Sequence, residues 1–384
     1  MTTDEVPRPD FEAELRLRVE AGPPFLLAGP PGAGKTTLLL GLARALERDG
    51  WACLYLDLMG AASSPDRFVL AALDALPAER FGDRLREATE IRRLVSSGRP
   101  QHAQAVRAVL ALWASLDRAG GRPVALLLDE ATEIRSLAYF PSLREVDRLL
   151  VSALAARPRG TVLATSFPTL AQKAFGLPVL NTPPLAAAEV AADLPPGSSV
   201  DALDLLRVSF GWPRYVRVLR ERIRGGSSLA AAWAEEMAKG GRLEMMGHHT
   251  YEALLLRSRG YGISKAALDA VAREEGLNLK ALVARLGRTP GATRDYLQWL
   301  VGVDALRMEG KRYFYVDGMV RQWVRLHASG RPASTAEVRA AVASLLKRDA
   351  VPADEGHGPL AAEATDDPHE RPSNTRRDSL MEID

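Results

Sequence analysis

Cysteine, long apolar runs and net charge are all scarce in this chain of 384 residues. The one cysteine, Cys53, excludes an intramolecular disulfide framework, and its apolar neighbours indicate a buried thiol. No apolar run approaches the ~18 residues of a membrane span. The first five residues have neither a positive patch nor an apolar stretch behind them. We therefore expect no signal peptide, no membrane partner and a cytoplasmic location.

The net charge of +2 is small because two regions of opposite sign nearly cancel. Residues 349–384 carry ten acids against three arginines, a net charge of −7, so the other residues carry +9. This end is also rich in Pro, Ser and Thr and has almost no aliphatic clusters. It cannot bury enough surface to offset the entropy of ordering, so we expect residues 331–384 to form a short helix and a disordered acidic tail.

A glycine-rich loop of nine residues is the most informative segment that is present. It follows the phosphate-loop pattern of Gly, four residues, then Gly-Lys-Thr, and consists of Gly29, Pro30, Pro31, Gly32, Ala33, Gly34, Lys35, Thr36 and Thr37. Without a Cβ, its glycines let the backbone curl around a phosphate and turn N–H groups inward. We expect Lys35 to hold the β- and γ-phosphates and Thr36 to offer its hydroxyl to Mg²⁺. A chance Gly/Pro loop before a helix is the alternative, and the apolar strand pattern before it and amphipathic pattern after it disfavour that.

A second motif, Val124–Glu130, is a continuous apolar run that ends in two acids. Such a run suits a strand buried on both faces of a parallel sheet, and open α/β sheets place ligands at the carboxyl ends of their strands. We expect Asp129 to hold Mg²⁺ through water and Glu130 to polarise the attacking water. The two acids could instead cap a following helix. Beside a phosphate loop, the pair predicts nucleoside triphosphate hydrolysis.

Five apolar segments alternate with helical patterns in the first half of the chain. The expected strands are Phe25–Ala28, Ala52–Leu58, Val124–Leu128, Thr161–Thr165 and Pro178–Leu180. The alternation predicts an α/β fold, a parallel five-stranded P-loop core with helices on both faces. Ser166 follows the fourth expected strand and could sense the γ-phosphate, although a simple turn before Pro168 is the alternative.

Over about residues 10–327 the chain resembles the P-loop ATPases of the AAA+/STAND group, specifically archaeal-type ATPases related to origin-recognition proteins. The stretches that carry this resemblance are Gly29–Thr37, Leu126–Glu130, Thr161–Ser166 and Phe210–Tyr215. The resemblance implies ATP as the nucleotide, since no residue pattern reads the base. It also implies a helical lid in which Pro213 packs near the adenine and Arg214 senses phosphate. A cation in the first turn of a helix is unfavourable unless an anion lies nearby, which agrees with that role for Arg214.

Relatives of this kind form oligomers that use an arginine finger in trans, and the sequence does not identify one here. The candidates are Arg144, Arg148, Arg157 and Arg159. Such a finger contributes ~10³–10⁵ in rate. Without it, we expect a slow switch in place of a motor, and a homo-oligomer stays open.

We divide the chain into a P-loop core (1–183), a helical lid (184–249) and a winged helix-turn-helix (250–330) ahead of the tail. The winged helix is predicted from helical patterns over Ile263–Glu275 and Leu279–Leu286, a third helix opened by Thr289, and a hairpin around Gly310.

Double-stranded DNA is one expected partner of this third domain. Its third helix and its wing would present Thr293, Arg294, Gln298, Lys311 and Arg312. Thirteen basic and eight acidic residues over 251–330, a net +5, allow weak and salt-sensitive binding. The domain could instead pack against the core as an internal brace. A DNA-acting ATPase and a signalling switch with a protein partner therefore both stay open.

Overall fold

The computed structural model of the chain describes residues 6–76, 84–96, 101–116, 122–195 and 197–347. The acidic tail, with its predicted disorder, lies outside these residues. Among the described helices, none combines the length and the apolarity needed to cross a membrane.

Five strands of the first half form one parallel sheet. They are β1 Phe25–Ala28, β2 Ala52–Asp57, β3 Val124–Asp129, β4 Thr161–Thr165 and β5 Val179–Asn181. Their order in the sheet is β2-β3-β4-β1-β5, and every described pairing within it is parallel. The predicted five-stranded core is therefore confirmed, with each strand within one or two residues of its expected bounds.

Helices cover both faces of this sheet. They are α1 Pro9–Ala21, α2 Lys35–Arg48, α3 Leu58–Ala61, α4 Pro65–Asp74, α5 Arg84–Ser96, α6 His102–Ser115, α7 Val146–Ala155 and α8 Pro168–Phe175. Because strand side chains alternate between faces, Leu27 and Leu127 pack with α1 and α2, whereas Leu26 and Leu126 pack with α4, α6 and α7. Cys53 is buried, as predicted.

The segments that follow β3 and β4 lie at the edge of the sheet that carries the motifs, and each leads into helical structure. A 3₁₀ helix, Ala131–Tyr139, follows Glu130, and a one-turn 3₁₀ helix, Pro141–Leu143, comes next. Pro168 opens α8 because proline suits the first turn of a helix, where its missing N–H is not needed. The residues after β4 therefore lead into a helix, two residues beyond Ser166.

The second half of the chain is mostly helical. Its first helices are α9 Ala187–Asp193, α10 Ala202–Ser209, α11 Pro213–Arg224, α12 Leu229–Met237 and α13 Arg242–Arg257. They are followed by α14 Tyr261–Arg273, β6 Leu277–Asn278, α15 Leu279–Leu286, α16 Pro290–Gly302, β7 Leu306–Glu309, β8 Arg312–Tyr315, α17 Gly318–His327 and α18 Thr335–Leu346. Strands β6, β8 and β7 pair antiparallel in that order, so the expected hairpin is present.

One apolar core joins these two groups of helices. It contains Leu219 and Trp233 from the first group together with Leu268, Leu297 and Trp323 from the second. Helix α13 packs on α17, and α18 returns to pack on α10 and α12. Continuous packing therefore connects α11 to the C-terminal elements.

Candidate nucleotide-binding site

The predicted phosphate loop connects β1 to α2. Gly32 and Gly34 have φ angles of +85° and +89°, in the left-handed region where a residue with a Cβ is strained. Gly34 is the N-cap of α2, immediately before its first residue, Lys35. A Cβ placed on Gly32 would lie 1.7 Å from Cδ of Arg214, so a larger residue here would displace the arginine side chain. The backbone conformation, and at Gly32 the close approach of Arg214, thus account for two of the motif's glycines.

The side chain of Lys35 lies folded into the loop, with only 4% of the residue exposed. Its Nζ donates to the carbonyl oxygens of Gly29 (2.9 Å) and Pro30 (3.1 Å) and to Oγ of Ser166 (3.0 Å). Burial lowers the pKa of Lys35, and the charges of Glu130 and Asp129 oppose that shift. The loop therefore holds a desolvated cation among neutral acceptors, an arrangement that favours an incoming anion.

The carboxylate of Asp129 is buried at the carboxyl end of β3. Its Oδ2 accepts from Oγ1 of Thr36 (2.6 Å) and from Oη of Tyr55 (3.1 Å), and its Oδ1 accepts from the N–H of Glu130 (3.0 Å). Burial and then the charge of Asp129 raise the pKa of Tyr55, so the phenol is neutral and donates. Two hard oxygen ligands, a hydroxyl and a carboxylate, are thus held side by side.

Glu130 has a φ of +45°, which is unusual for a residue with a side chain and marks local strain. Its Oε1 accepts from Oγ of Ser166 at 2.6 Å, and its Oε2 accepts from the N–H of the same residue at 3.3 Å. Ser166 therefore lies between Glu130 and Lys35 and contacts both. Residues from three separate motifs meet at this edge of the sheet.

A cavity of about 1940 Å³ opens beside the loop, which is ample for a nucleoside triphosphate. The predicted residues that line it are Pro31, Gly32, Gly34, Lys35, Thr36, Thr37, Glu130, Ser166, Pro213 and Arg214. Ala33 is fully buried beneath the loop. Residues of α9 and α11 form the opposite wall. The cavity therefore lies between these two helices and α2, the helix that follows the phosphate loop.

Pro213 and Arg214 approach the loop from the start of α11. The ring of Pro213 lies 3.6 Å from the point where a Cβ on Gly34 would be, so it lies over the phosphate loop. The N–H of Arg214 donates to the carbonyl oxygen of Gly32 at 3.3 Å. Both residues therefore contact the loop backbone directly.

The guanidinium of Arg214 also reaches the C-terminal elements. Its Nη2 donates to Oη of Tyr215 and to Oγ1 of Thr250 (3.0 Å), and it lies 3.7 Å from Oδ2 of Asp317. Tyr215 in turn donates to Oδ2 of Asp317 at 2.7 Å. Burial and then the charge of Asp317 raise the pKa of Tyr215 well above its ordinary value, so its hydroxyl stays a donor. Asp317 also caps α17, accepting from the N–H groups of Met319 and Val320.

Sequence patterns missed two residues that belong to this site. Tyr55 donates to Asp129, and a lone phenol within an apolar strand was the available signal. Arg8 lines the cavity with only 3% exposure, and it donates through Nη2 to the carbonyl oxygen of Pro183 at 2.6 Å. Among the described residues, Nε and Nη1 of Arg8 have no hydrogen-bond partner. Arg8 precedes α1 without any motif, so only the fold reveals it.

The candidate DNA-contacting residues divide into two groups. Arg294, Gln298, Lys311 and Arg312 are exposed, and Arg312 also donates to the carbonyl oxygen of Gly276 at 2.8 Å. Thr293 is fully buried, so its expected contact with a DNA groove is wrong. It lies on the face of α16 that also carries the buried Leu297 and Leu300, because residues at i, i+4 and i+7 share one face of a helix.

The arginine-finger candidates also divide. Arg157 is 1% exposed, and it donates to Oγ1 of Thr161 and to the carbonyl oxygens of Trp113 and Val124, so it is part of the core and wrong as a finger. Arg159 stacks on Trp51. Arg144 and Arg148 are exposed, and Arg148 pairs with Glu145 at 2.8 Å, so these two stay predictions.

Comparison with known proteins identifies the class of this fold. A profile of AAA ATPase domains matches residues 11–164. No curated protein matches the chain. A solved Walker-type ATPase of Pyrococcus abyssi is similar with a TM-score of 0.62 and 16% identity, over 84% of this chain and 97% of its own.

Two other solved structures are similar at lower scores. The ORC2 protein of Aeropyrum pernix has a TM-score of 0.40 and 14% identity, over 88% of this chain and 94% of its own. The RuvB motor of Thermotoga maritima has a TM-score of 0.34 and 17% identity, over 80% and 92%. The predicted kinship with origin-recognition proteins stays a prediction. Residues 11–164 match the AAA ATPase profile and have a P-loop fold, and the chain is an ATP-binding, ATP-hydrolysing enzyme.

Proposed function

We propose that this chain is a Mg²⁺-dependent ATP switch whose nucleotide state repositions a C-terminal winged helix. The observation that carries the proposal is the side chain of Arg214, which lies against Gly32 of the loop and faces Asp317 before α17. One residue thus contacts both the phosphate site and the C-terminal elements. A ligand shifts a conformational equilibrium only through contacts that differ between the two states. A γ-phosphate beside Arg214, present in ATP and absent in ADP, supplies that difference.

Hydrolysis in this proposal uses the residues gathered at the edge of the sheet. Lys35 and the loop N–H groups hold the phosphates, because a helix N-terminus and a nest of amides both favour negative charge. Glu130 accepts a proton from the attacking water. Ser166, which donates to Glu130 and accepts from Lys35, responds to the γ-phosphate when Lys35 turns towards it.

Thr36 and Asp129 fit the ligand preference of Mg²⁺. Their oxygens lie 2.6 Å apart, and a carboxylate has about four acceptor positions, of which three are filled here. Among the described residues, no group of three or more His, Cys, Asp or Glu side chains forms a metal cluster. Mg²⁺ is commonly held by one or two carboxylates together with substrate phosphates, so Thr36 and Asp129 would hold it only with nucleotide. When bound, the ion neutralises charge on the β- and γ-phosphates.

Double-stranded DNA is the output partner that we propose for the switch. Helices α14, α15 and α16, with the hairpin of β7 and β8, have the element order of a winged helix-turn-helix. The exposed Arg294 and Gln298 lie on its third helix, and Lys311 and Arg312 lie at its wing. Three or four phosphate contacts from such a surface would give a salt slope of about −3.

A signalling ATPase whose winged helix clamps the core, and whose output is a protein partner, is the second candidate. Two contacts favour it. Arg257 pairs with Glu133 at 2.9 Å and stacks on Phe167, the residue after Ser166. The carboxylate of Asp304 accepts from both the N–H and Oγ1 of Thr169. The end of α13 and the turn after α16 are thus held against the segments that follow Glu130 and Ser166.

Hydrogen exchange of the wild type with ADP and with a non-hydrolysable ATP analogue tests the switch. We expect the amide hydrogens of α17 and of the β7–β8 hairpin to exchange at different rates in the two nucleotides. The reason is that Arg214 would leave Asp317 and contact the γ-phosphate when ATP is bound. Arg214→Ala should remove the difference, and Arg222→Ala, on the last turn of the same helix and outside the cavity lining, should keep it. Identical exchange in both nucleotides for the wild type would contradict the proposal.

A gel shift at low salt separates the two outputs. We expect the wild type to retain double-stranded DNA, and Arg294→Glu or Lys311→Glu to weaken retention about tenfold or more, since each reverses a charge near phosphate. Glu145→Gln, on the core, serves as the control. A wild type that leaves DNA unshifted at low salt, with turnover unaffected by DNA, would leave the protein-partner candidate standing.

A further inference from the structure

The phenol of Tyr55 is placed by strand geometry beside the acid that ends the next strand. In the parallel pairing of β2 with β3, Tyr55 is opposite Leu127, and Asp57 is opposite Asp129. Tyr55 and Leu127 pack on the sheet face covered by α2, and Asp129 shares that face because strand side chains alternate. Tyr55 and Asp129 are therefore diagonal neighbours, which an aromatic side chain can span. The hydrogen bond from Oη to Oδ2, 3.1 Å long, spans that diagonal.

This hydrogen bond is one of three that hold the carboxylate in place. On one side the N–H of Glu130 holds Oδ1, and on the other Thr36 and Tyr55 both hold Oδ2. The hydroxyl of Thr36 has one hydrogen, which it donates in a hydrogen bond to Asp129. The lone pairs of the Thr36 oxygen are then left for a cation. With three acceptor positions of Asp129 filled, one is left for a water on that cation. Tyr55 is the donor that contributes nothing else to the site.

We infer that Tyr55 is a positioning residue for the divalent metal, acting through the carboxylate of Asp129. The inference rests on the proposed assignment of Thr36 and Asp129 to Mg²⁺. Mg²⁺ demands nearly ideal octahedral geometry and gives up its waters reluctantly. Without the Tyr55 donor the carboxylate keeps one hydrogen bond at each oxygen, from Thr36 and Glu130, and has more freedom to rotate. It would therefore bind a metal-bound water less well, even with nucleotide in place.

A packing role alone would have a different signature. The ring of Tyr55 is half-buried against the apolar core on the α2 face of the sheet, and a phenylalanine would fill the same space. If only the ring mattered, Tyr55→Phe would behave as the wild type at every metal concentration. If only general stability mattered, it would weaken nucleotide binding equally with and without metal. The inference requires an effect that appears with metal and disappears without it.

The test compares Tyr55→Phe with the wild type and with Tyr139→Phe, a tyrosine that is 90% exposed. We expect the Mg²⁺ concentration for half-maximal ATP turnover to rise about tenfold in Tyr55→Phe, with kcat at saturating Mg²⁺ within about twofold of the wild type. Mn²⁺ bound to the protein with a non-hydrolysable ATP analogue, followed by electron paramagnetic resonance, should weaken by a similar factor. Binding of the analogue in EDTA should be unchanged, and Tyr139→Phe should match the wild type throughout.

Each other outcome contradicts either the role of Tyr55 or the metal site on which that role depends. An unchanged Mg²⁺ requirement and unchanged Mn²⁺ binding in Tyr55→Phe would remove the role of Tyr55 alone. Equal weakening with metal and in EDTA would assign Tyr55 to packing, as would a large fall in the thermal midpoint of the variant without nucleotide. A wild type that turns over ATP equally well in EDTA would remove the metal site itself, and with it the proposed function.

Discussion

The phosphate loop and the contacts with the C-terminal elements are assembled by different routes through the sequence. Lys35 bonds to carbonyl oxygens only six and five residues before it. By contrast, the bond from Tyr215 to Asp317 joins residues 102 positions apart, and the bond from Thr169 to Asp304 joins residues 135 apart. The loop itself is therefore closed by contacts between nearby residues, whereas its links to Asp129 and Ser166, like the contacts of the C-terminal elements, are made by pairs that meet only in the fold.

The two regions also differ in how their cations are neutralised. Lys35 donates to carbonyls and a hydroxyl, whereas Arg214 faces the carboxylate of Asp317. An anion at Lys35 gains a cation that is already desolvated. An anion at Arg214 must compete with an existing carboxylate. We therefore expect substitutions in the loop and at its acids to abolish binding or chemistry, and substitutions in the long-range pairs to tune affinity and stability.

Glu130→Gln should give the largest effect, a fall in kcat of about 10²–10⁴, the range of general-base catalysis. The glutamine keeps an oxygen that can accept from Ser166 but cannot take a proton from water. The affinity for ATP, measured by calorimetry, should stay within about twofold. Glu145→Gln, an exposed residue of the core, is the control in a phosphate-release assay. Turnover by Glu130→Gln equal to that of the wild type would take Glu130 out of its proposed role.

Lys35→Ala should come next, with a loss of about 100-fold in ATP affinity. A charge-assisted hydrogen bond to an anion contributes about 1.5–3 kcal/mol, and 1.4 kcal/mol is a factor of ten. Because Lys35 is a buried cation, we expect the nucleotide-free variant to unfold at a temperature no lower than the wild type. Calorimetry and thermal unfolding, with the exposed Lys280→Ala as control, measure both. A lowered midpoint would mean that the lysine supports the fold as well as the ligand.

What the sequence could predict follows the same division. The sheet, the loop and the acids after β3 were predictable because apolar runs and glycine spacing act locally. The burial of Thr293 was also predictable, since Thr293, Leu297 and Leu300 follow a helical period. The fate of Arg157 was not, because its acceptors include carbonyls from two distant segments, near Trp113 and Val124. The ion pair between Arg214 and Asp317 was not predictable either, because no local pattern around Asp317 indicates its partner.

Asp317→Asn should raise the affinity for ATP by about tenfold. Asparagine caps a helix as well as aspartate does, so α17 keeps its cap. The negative charge 3.7 Å from Arg214 is lost, and the guanidinium is then free for phosphate. A gain of about 1.4 kcal/mol is well below the Coulomb energy of such a pair at an effective dielectric constant of about 20.

Titration with a fluorescent ATP analogue measures this gain, and Asp204→Asn, in an ion pair on α10, is the matched control. Unchanged ATP affinity in Asp317→Asn would mean that the ion pair does not compete with the nucleotide. The contacts between Arg214, Tyr215 and Asp317 would then support the fold without affecting nucleotide affinity. The proposed difference in binding energy between the two regions would be wrong.

The contact between Asp304 and Thr169 should show the smallest effect and an unexpected sign. Burial raises the pKa of Asp304 to about 6, and the hydrogen bonds from Thr169 only partly oppose this. A carboxyl whose pKa is higher in the folded than in the unfolded protein stabilises the fold most at low pH, and that contribution falls as pH rises through about 6. At neutral pH the contact is therefore held below its full strength.

Asp304→Asn should accordingly raise the free energy of unfolding by about 1 kcal/mol at pH 7.5 and change it little at pH 4.5. Asparagine tolerates the φ of +55° at this position and keeps an oxygen for Thr169. Thermal unfolding across this pH range measures the difference, with Asp295→Asn as control, an exposed residue of α16, the helix that ends two residues before Asp304. A variant less stable than the wild type at pH 7.5 would show that the charge strengthens the contact. A more stable variant would show that the charge of Asp304 weakens a contact between the core and the C-terminal elements at neutral pH, in contrast to the loop, where every bond of Lys35 lies within the site itself.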